Sequence, residues 1–112
     1  MPRNMSFAMT TAQFIARTKT VTRRFGWLFL LPGDVVCGVK KGMGLKKGEQ
    51  MKRLGHILIV STRSEPLNTI TKEDCVKEGF PELDPAEFVD MLCVHYKCQP
   101  SAIINRIEYV YI

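Results

Sequence analysis

The pattern of apolar and polar positions predicts several short strands separated by short helices. His56–Thr62 is a nearly continuous apolar run, which favours a central strand buried on both faces. Val35–Val39 and Ile104–Ile112 are rich in β-branched and aromatic residues, which is typical of strands. A shorter strand is expected over Met5–Met9, before the first helix.

Helix-start and turn signals lie between these strands. Thr10 can cap a helix that runs to about Arg17, and Thr71 can cap a second helix that Gly79 would end. Pro32-Gly33-Asp34 is typical of a tight turn.

A third helix is predicted from its capping box. Asp84 is the N-cap, Pro85 occupies the first helical position, Glu87 completes the box, and the helix should run to about Tyr96. Four residues at helical spacing predict its buried face: Phe88, Met91, Leu92 and His95. Because the elements do not alternate regularly, we expect one α+β domain over residues 1–112, a small mixed or antiparallel β-barrel with short flanking helices.

Composition and apolar segments suggest a cytoplasmic protein without membrane contact. The longest apolar stretch, Trp27–Pro32, is far shorter than the about 20 residues that cross a bilayer. The N-terminal residues 1–5 hold no apolar signal-peptide core.

The cysteines and histidines are expected to serve the core. No CxxC pair is present, so neither a disulfide framework nor a closed zinc site is expected, and no metal or other cofactor is predicted. His56 and His95 are expected to be partly buried. The cysteines should be small buried side chains: Cys37, Cys75, Cys93 and Cys98.

Charge is distributed unevenly along the chain. Residues 1–55 carry eleven Lys or Arg against two acids, a net charge of +9, whereas residues 56–112 carry five against nine, a net charge of −4. Such clustering favours an electropositive face that attracts phosphate, although a solvated surface without a partner would show the same pattern. The Gly- and Lys-rich segment of residues 40–55 is expected to be a long basic loop, either a lid or an ordinary surface loop.

The run Lys19-Thr20-Val21-Thr22-Arg23-Arg24 carries the candidate chemistry, and around it the chain resembles the ASCH domain family, which has a PUA-like fold. The resemblance follows nearly the whole chain in order. It rests on Lys19-Thr20-x-Thr22-x-Arg24, Trp27, Pro32-Gly33-Asp34, Gly42-Met43-Gly44-Leu45-Lys46-Lys47-Gly48-Glu49, Pro66-Leu67, Ile70-Thr71-x-Glu73-Asp74, Glu78-Gly79-Phe80-Pro81 and Arg106-Ile107-Glu108-Tyr109.

The resemblance implies one of two functions. Some small bacterial members hydrolyse N(4)-acetylcytidine and related N(4)-acylcytosines, and others are regarded as RNA-binding modules. For the hydrolase, the resemblance implies catalytic roles for Lys19, Thr22 and Glu78. Substrate contacts would come from four further residues: Thr20, Arg24, Phe7 and Lys47.

The three implied catalytic residues have the chemistry that amide hydrolysis requires. The Thr22 hydroxyl would be the nucleophile once a base removes its proton, and neutral Lys19 would be that base. Burial and the neighbouring Arg23 and Arg24 should lower the pKa of Lys19 from about 10.4. Glu78 could donate a proton to the acyl oxygen or the departing amine.

One geometric condition follows from the spacing of the two reacting side chains. Residues 19 and 22 point to opposite faces of a regular strand, so the segment must bend if Lys19 is to activate Thr22. Outside such a site, Lys-Thr-x-Thr is usually an exposed strand edge, and Glu78 before Gly79 is usually a solvated helix end.

The expected partners follow from these functions. The hydrolase would take a modified cytidine nucleoside as substrate, the binding module would take RNA, and the protein is expected to be a monomer or a weak homodimer. A ribonuclease is less favoured, because neither histidine has an obvious catalytic partner in the sequence.

Overall fold

Five strands form one curled mixed sheet in the computed structural model, which describes residues 2–41, residue 48 and residues 50–112. The strands are β1 (Arg3–Ser6), β2 (Val21–Arg24), β3 (Val35–Val39), β4 (Arg53–Pro66) and β5 (Ile103–Tyr111). The helices are α1 (Thr11–Ile15), α2 (Lys72–Lys77) and α3 (Pro85–Tyr96), with 3₁₀ turns at Ala8–Thr10 and Leu67–Thr69.

The sheet order β1-β3-β4-β5-β2 leaves β1 and β2 at its two edges. The long strand β4 pairs antiparallel with both β3 and β5. A register shift between Ile59 and Ser61 helps the sheet to curl, because a bulge increases local twist. Since β1 runs parallel to β3, the sheet is mixed. The predicted α+β class is confirmed, and the small mixed or antiparallel barrel expected from the sequence takes the form of a five-stranded mixed half-barrel.

The strand predictions are confirmed for β3 and, within one residue at each end, for β5. β4 is central, but the prediction that it is buried on both faces is wrong. Ile57 and Ile59 are buried, whereas Val60 is 45% exposed. An apolar run alone does not reveal which face of a strand will be covered. The strand expected over Met5–Met9 ends at Ser6, because Ala8–Thr10 turns into a 3₁₀ helix.

Two of the three helix starts form as their caps predict. Asp84 Oδ1 accepts from the Glu87 backbone N–H at 2.8 Å, and Glu87 Oε1 accepts from the Asp84 N–H at 3.1 Å. The Thr71 hydroxyl oxygen accepts from the Asp74 N–H at 3.2 Å. Thr10 is the N-cap of α1 but makes no side-chain capping bond, and α1 is shorter than predicted.

The core consists of two apolar clusters. One lies against the sheet and contains Met5, Phe7, Phe14, Leu30, Val36, Ile57, Ile59, Ile107 and Tyr109. The other joins α3 to the end of the sheet and contains Leu67, Ile70, Cys75, Phe88, Val89, Leu92 and Ile104. The predicted inner face of α3 is corrected at two positions. Met91 is half-buried, and His95 is exposed although its neighbour Tyr96 packs against the second cluster.

The predictions for cysteine and histidine hold only in part. All four cysteines are free, with Cys37 and Cys75 buried but Cys93 and Cys98 half-buried. Both His56 and His95 are exposed, so the expectation that they are partly buried is wrong. Within the described ranges no group of His, Cys, Asp or Glu could hold a metal ion.

Two further expectations concern particular segments. Across the described residues, no helix is long and apolar enough to cross a membrane. Residues 42–47 and 49 lie outside the described part of the chain. The basic loop, its role as a lid and the contact assigned to Lys47 therefore stay predictions.

Candidate functional site

A pocket of about 280 Å³ lies where the two edge strands, the end of α2 and α3 approach one another. One wall is polar and includes Lys19, Thr22, Arg23, Arg24 and Glu78. The rest of the lining includes an apolar wall from both core clusters, formed by Phe7, Phe80, Phe88 and Leu92, together with Met9. A concave site with an apolar wall and a few convergent polar groups is typical of small-molecule binding.

The structure brings five of the seven predicted site residues to this pocket: Lys19, Thr22, Glu78, Arg24 and Phe7. Thr20 does not line it. Its backbone is instead fixed between α2 and β5, since its N–H donates to the Lys77 carbonyl at 2.7 Å and its carbonyl accepts from the Tyr109 N–H at 3.0 Å. Lys47 is outside the described residues.

The bend that the spacing requires is present. β2 begins only at Val21, so Lys19 and Thr20 precede the strand and do not follow its alternation. Lys19 and Thr22 therefore line the same pocket, as they would not in a flat strand. The same break explains why Thr20 and Thr22, two residues apart, are not both at the pocket.

Lys19 and Glu78 form a buried ion pair in the polar wall. The Lys19 Nζ lies 2.6 Å from Glu78 Oε1 and 2.9 Å from the Glu78 backbone carbonyl oxygen. Both residues are only 3% exposed. Lys19 is therefore not at an exposed strand edge, and Glu78 is not at a solvated helix end, although both positions are common for such residues in other proteins.

Burial lowers the pKa of Lys19 below its ordinary value of 10.5, because desolvation disfavours the ammonium form. Glu78 opposes this effect through its charge and its hydrogen bond, and Arg24 and Arg23 add to it through repulsion. The direction agrees with what a general base at this position requires.

Gly79 directs Glu78 into the pocket. It follows the last turn of α2 and has φ of +95°, a conformation that L-residues with a side chain adopt rarely. A Cβ at this position would lie 2.7 Å from Gln13 Cγ and 3.5 Å from Lys19 Cβ. The helix end can therefore approach α1 and Lys19 closely only because residue 79 has no side chain.

Thr22 and Arg24 lie on the same face of β2 and are joined by a hydrogen bond. Arg24 Nε donates to Thr22 Oγ1 at 3.2 Å, and no bond links Lys19 to Thr22 among the described residues. A cation that donates to the hydroxyl oxygen stabilises the alkoxide that forms when the hydroxyl proton leaves. In this state the Lys19 ammonium is directed at Glu78, so attack by Thr22 requires Lys19 to turn towards the hydroxyl.

Arg24 also connects the two edges of the half-barrel. Its Nη2 donates to the Ser6 carbonyl oxygen at the end of β1 at 2.6 Å, and its guanidinium lies 4.8 Å from the centre of the Phe7 ring. A planar guanidinium can make such directed bonds and stack on a ring at the same time. Arg24 therefore links β2 directly to the end of β1.

Sequence reasoning missed a buried network behind the polar wall. Arg23, whose side chain is fully buried, donates from Nη1 to Glu78 Oε2 at 3.0 Å and from Nη2 to Asp74 Oδ2. Arg106 donates two hydrogen bonds to Asp74, from Nε to Oδ2 at 2.7 Å and from Nη2 to Oδ1 at 3.0 Å. The only hint in the sequence was the excess of opposite charge in the two halves of the chain.

This network changes the interpretation of the uneven charge of the two halves of the chain. Lys19 and Arg23 of the basic half are buried against Glu78, Asp74 and Glu65 of the acidic half. Part of the basic excess is thus neutralised inside the fold and is not displayed to a phosphate-bearing partner.

Two side chains of α3 also border the pocket without having been predicted there. Tyr96 and the exposed His95 line its rim, and burial raises the pKa of the Tyr96 hydroxyl, which therefore stays neutral. Three residues that were predicted as core positions of α3, Phe88, Leu92 and His95, thus line the pocket.

The comparisons with known proteins bear on the fold of this chain and not on the chemistry of the site. Neither family models nor curated proteins give a match. Among solved structures, the chain is similar to protein EF3133 from Enterococcus faecalis V583, described with the family model DUF984. The TM-score is 0.66 at 14% identity, over 100% of this chain and 77% of that chain. At this identity the likeness shows the half-barrel fold alone.

Proposed function

We propose that this protein is an ASCH-type, PUA-like amidohydrolase that removes the acyl group from N(4)-acetylcytidine and related N(4)-acylcytosine nucleosides. The observation that carries the proposal is the buried pair of Lys19 and Glu78 in the same pocket as the Thr22 hydroxyl and Arg24. A lysine, a hydroxyl, a carboxylate and a guanidinium supply the base, nucleophile, proton carrier and oxyanion partner of acyl transfer.

The reaction begins with proton transfer from the Thr22 hydroxyl to the neutral amine of Lys19. Thr22 Oγ1 then attacks the acyl carbon, and Arg24, which already donates to this oxygen, is placed to stabilise negative charge beside it. The bond from the acyl carbon to the exocyclic nitrogen breaks, that nitrogen takes the proton from Lys19, and cytidine leaves.

Hydrolysis of the Thr22 ester completes the cycle. A water molecule gives a proton to Lys19 and attacks the ester carbon. The bond from this carbon to Thr22 Oγ1 then breaks, Lys19 returns the proton to Oγ1, and the carboxylic acid departs. Glu78 lies 2.6 Å from the Lys19 Nζ and can pass the proton to and from the amine during both halves of the reaction.

The size and walls of the pocket support a small substrate. At about 280 Å³ it is at the lower end of ligand sites, which suits a nucleobase with its acyl group better than an oligonucleotide. The apolar wall of Phe80, Phe88 and Leu92 suits the flat face of the base or the acyl chain. We propose that the substrate is a free nucleoside and that the protein acts in the cytoplasm.

The test is incubation of the purified protein with N(4)-acetylcytidine, followed by chromatography for cytidine. We expect stoichiometric cytidine and acetate from the wild-type protein and from Thr18→Val, which changes an exposed threonine of the same segment. Thr22→Val should produce none. Absence of cytidine with folded wild-type protein, or equal rates in Thr22→Val, would contradict the proposal.

A non-catalytic RNA-binding role is the second candidate. It is favoured by exposed Lys40, Lys52 and Arg53, which meet where β3 and β4 pair, with the Lys40 N–H donating to the Lys52 carbonyl at 2.9 Å. Phosphate contacts of this kind give affinities that fall steeply with salt. Binding of single-stranded RNA at low salt that is lost in Lys52→Ala, without turnover of the nucleoside, would support this role instead.

A further inference from the structure

Three arginines stand side by side across the sheet. Arg23 of β2 is opposite Arg106 of β5, and Arg106 is opposite Arg63 of β4. Opposed residues of antiparallel strands project on the same face, where like charges repel. Such a row persists only when carboxylates lie between the guanidinium groups.

Two of the intervening carboxylates have an arginine partner besides Arg23. Asp74 of α2 is held by two bonds from Arg106, at 2.7 and 3.0 Å. Glu65 of β4 accepts from Arg63 Nε and lies 3.4 Å from Arg23 Nη2. Each of these acids would keep a cationic partner if Arg23 were committed to Glu78.

Glu78 is the third carboxylate, and it lies between two cations. Oε1 is 2.6 Å from the Lys19 Nζ, and Oε2 is 3.0 Å from Arg23 Nη1. When Lys19 loses its proton, Glu78 would still be paired with Arg23. Without Arg23, the same loss would leave the buried carboxylate without an ion-pair partner among the described residues, which is strongly unfavourable.

We propose that Arg23 is a positioning residue that compensates the charge of Glu78, so that Lys19 can lose its proton inside the fold. Its importance for catalysis rests on the proposed amidohydrolase function. Its effect on the protonation of Lys19 does not, because that effect belongs to the protein without substrate.

The charged groups around Lys19 come from four elements, and α3 adds the hydroxyl of Tyr96, which carries no charge because burial raises its pKa. Glu78 faces it from the end of α2, Arg23 and Arg24 from β2, and Arg23 is itself faced by Glu65, Asp74 and Arg106 from β4, α2 and β5. Tyr109 of β5 also adjoins this group, and burial raises the pKa of its hydroxyl, so it adds no charge. Arg23 is thus the cation that can take over the pairing of Glu78.

The experiment measures the pKa of Lys19 directly by NMR titration of protein labelled with ¹³C at lysine Cε. The Lys19 signal is assigned from its loss in Lys19→Met. Arg23→Gln should raise the pKa of Lys19 by about 1 to 2, because a nearby cation is lost and Glu78 then depends on Lys19 alone. Arg23→Lys, which keeps the charge but not the planar fork, should reverse part of this rise.

A second variant predicts the opposite sign. Asp74→Asn removes a carboxylate that attracts Arg23, so more of the Arg23 charge acts on Glu78 and Lys19, and the pKa of Lys19 should fall. A fold that is merely loosened would move the pKa upward in both variants, towards 10.5, by admitting water. Arg53→Gln, at an exposed position where β4 starts, serves as the control and should leave the Lys19 pKa unchanged.

An unchanged Lys19 pKa in Arg23→Gln, or a rise in both Arg23→Gln and Asp74→Asn, would overturn the proposal. If Arg23→Gln does not fold, Arg23→Met, which fills a similar volume without a charge, is titrated in its place with the same expected rise. If the wild-type protein does not hydrolyse N(4)-acetylcytidine, the proposed function fails. The titration still decides the part played by Arg23, because it uses no substrate.

Discussion

Glu78 holds the Lys19 ammonium with two of its own oxygens, the carboxylate Oε1 at 2.6 Å and the backbone carbonyl at 2.9 Å. One residue thus fixes the ammonium both through a side chain and through the last turn of α2. The two residues are 59 positions apart in the chain, and each is buried. The contact therefore joins the segment before β2 to the end of α2 and forms the centre of the site.

Breaking this pair from one side should cost more than half of what breaking it from both sides costs, because one side alone leaves a buried charge without its partner. Lys19→Met leaves Glu78 with Arg23 alone, and Glu78→Gln leaves the buried Lys19 without its carboxylate. Each single change should lower the free energy of unfolding by about 3 kcal/mol, and the double variant should lose clearly less than their sum.

Urea denaturation followed by circular dichroism measures these values. Lys77→Met is the control, because Lys77 and Glu73 form a surface pair at 3.5 Å that should contribute less than about 0.5 kcal/mol. Strict additivity of the two buried changes would show that Lys19 and Glu78 do not stabilise one another.

Turnover should require the hydroxyl group of Thr22 and not merely a side chain of the same shape. Thr22→Val keeps the volume of the side chain and should lower kcat for N(4)-acetylcytidine by about 10³-fold or more, since the nucleophile is missing. Thr22→Ser keeps the hydroxyl and should retain measurable activity. Initial rates by chromatography test both variants, and equal rates in the two would exclude Thr22 as the nucleophile.

Activity should increase with pH through the titration of Lys19. Burial lowers the pKa of Lys19, so the neutral amine that accepts the Thr22 proton forms at a pH below the ordinary value of 10.5. The value of kcat should therefore rise with pH, with a midpoint below that value. Lys19→Arg keeps a cation but supplies no base at any accessible pH, and should be inactive throughout. A rate that falls as pH rises would contradict the assignment of Lys19 as the base.

Asp74 should make the fold sensitive to acid. The hydrogen bond from Arg106 and the charges of Arg106 and Arg23 hold the pKa of Asp74 well below its ordinary value of 3.8. A carboxyl group with a lowered pKa in the folded state stabilises the fold above its unfolded pKa, and this contribution is lost as the pH falls below about 4.

Thermal unfolding at a series of pH values tests this effect. Asp74→Asn should be less stable than wild type near neutral pH, and the difference should narrow below about pH 4. Asp90→Asn, at an exposed position of α3, should follow the wild-type curve. A constant difference between Asp74→Asn and wild type from neutral to acid pH would refute this role.

Gly79 should tolerate no side chain. Gly79→Ala places a Cβ 2.7 Å from Gln13 Cγ and keeps φ of +95°, so we expect a loss of about 1 to 2 kcal/mol from the backbone and more from the clash. Adding Gln13→Ala should recover the part due to the clash but not the part due to the backbone. No recovery in the double variant, measured by urea denaturation, would show that Gln13 is not the obstacle.

Local signals in the sequence determined most of the elements. The capping box at Asp84 and Glu87, the cap at Thr71 and the β-branched run of β3 depend on residues within one turn or one strand. Such signals act before any tertiary contact is made, so they can be recognised from the chain alone.

The candidate site was predictable only where residues are close in sequence or follow a family pattern. The bend before β2 followed from the alternation of side chains, which forbids Lys19 and Thr22 to share a face of a flat strand. The resemblance to a family supplied Glu78. Nothing local indicated Arg23, because its partners Asp74 and Glu78 belong to α2 and its C-terminal end, 51 and 55 residues away in the chain, and only the fold brings them beside β2.

By itself, the sequence determined the α+β class, the helix starts and the opposite charges of the two halves of the chain. Tertiary structure decided that part of this charge is buried, with Lys19 and Arg23 against Glu78 and Asp74. It also decided that α3 forms one wall of a pocket. The reason is physical: capping and strand propensity are properties of neighbouring residues, whereas a buried ion pair forms only when the fold brings both partners together out of water.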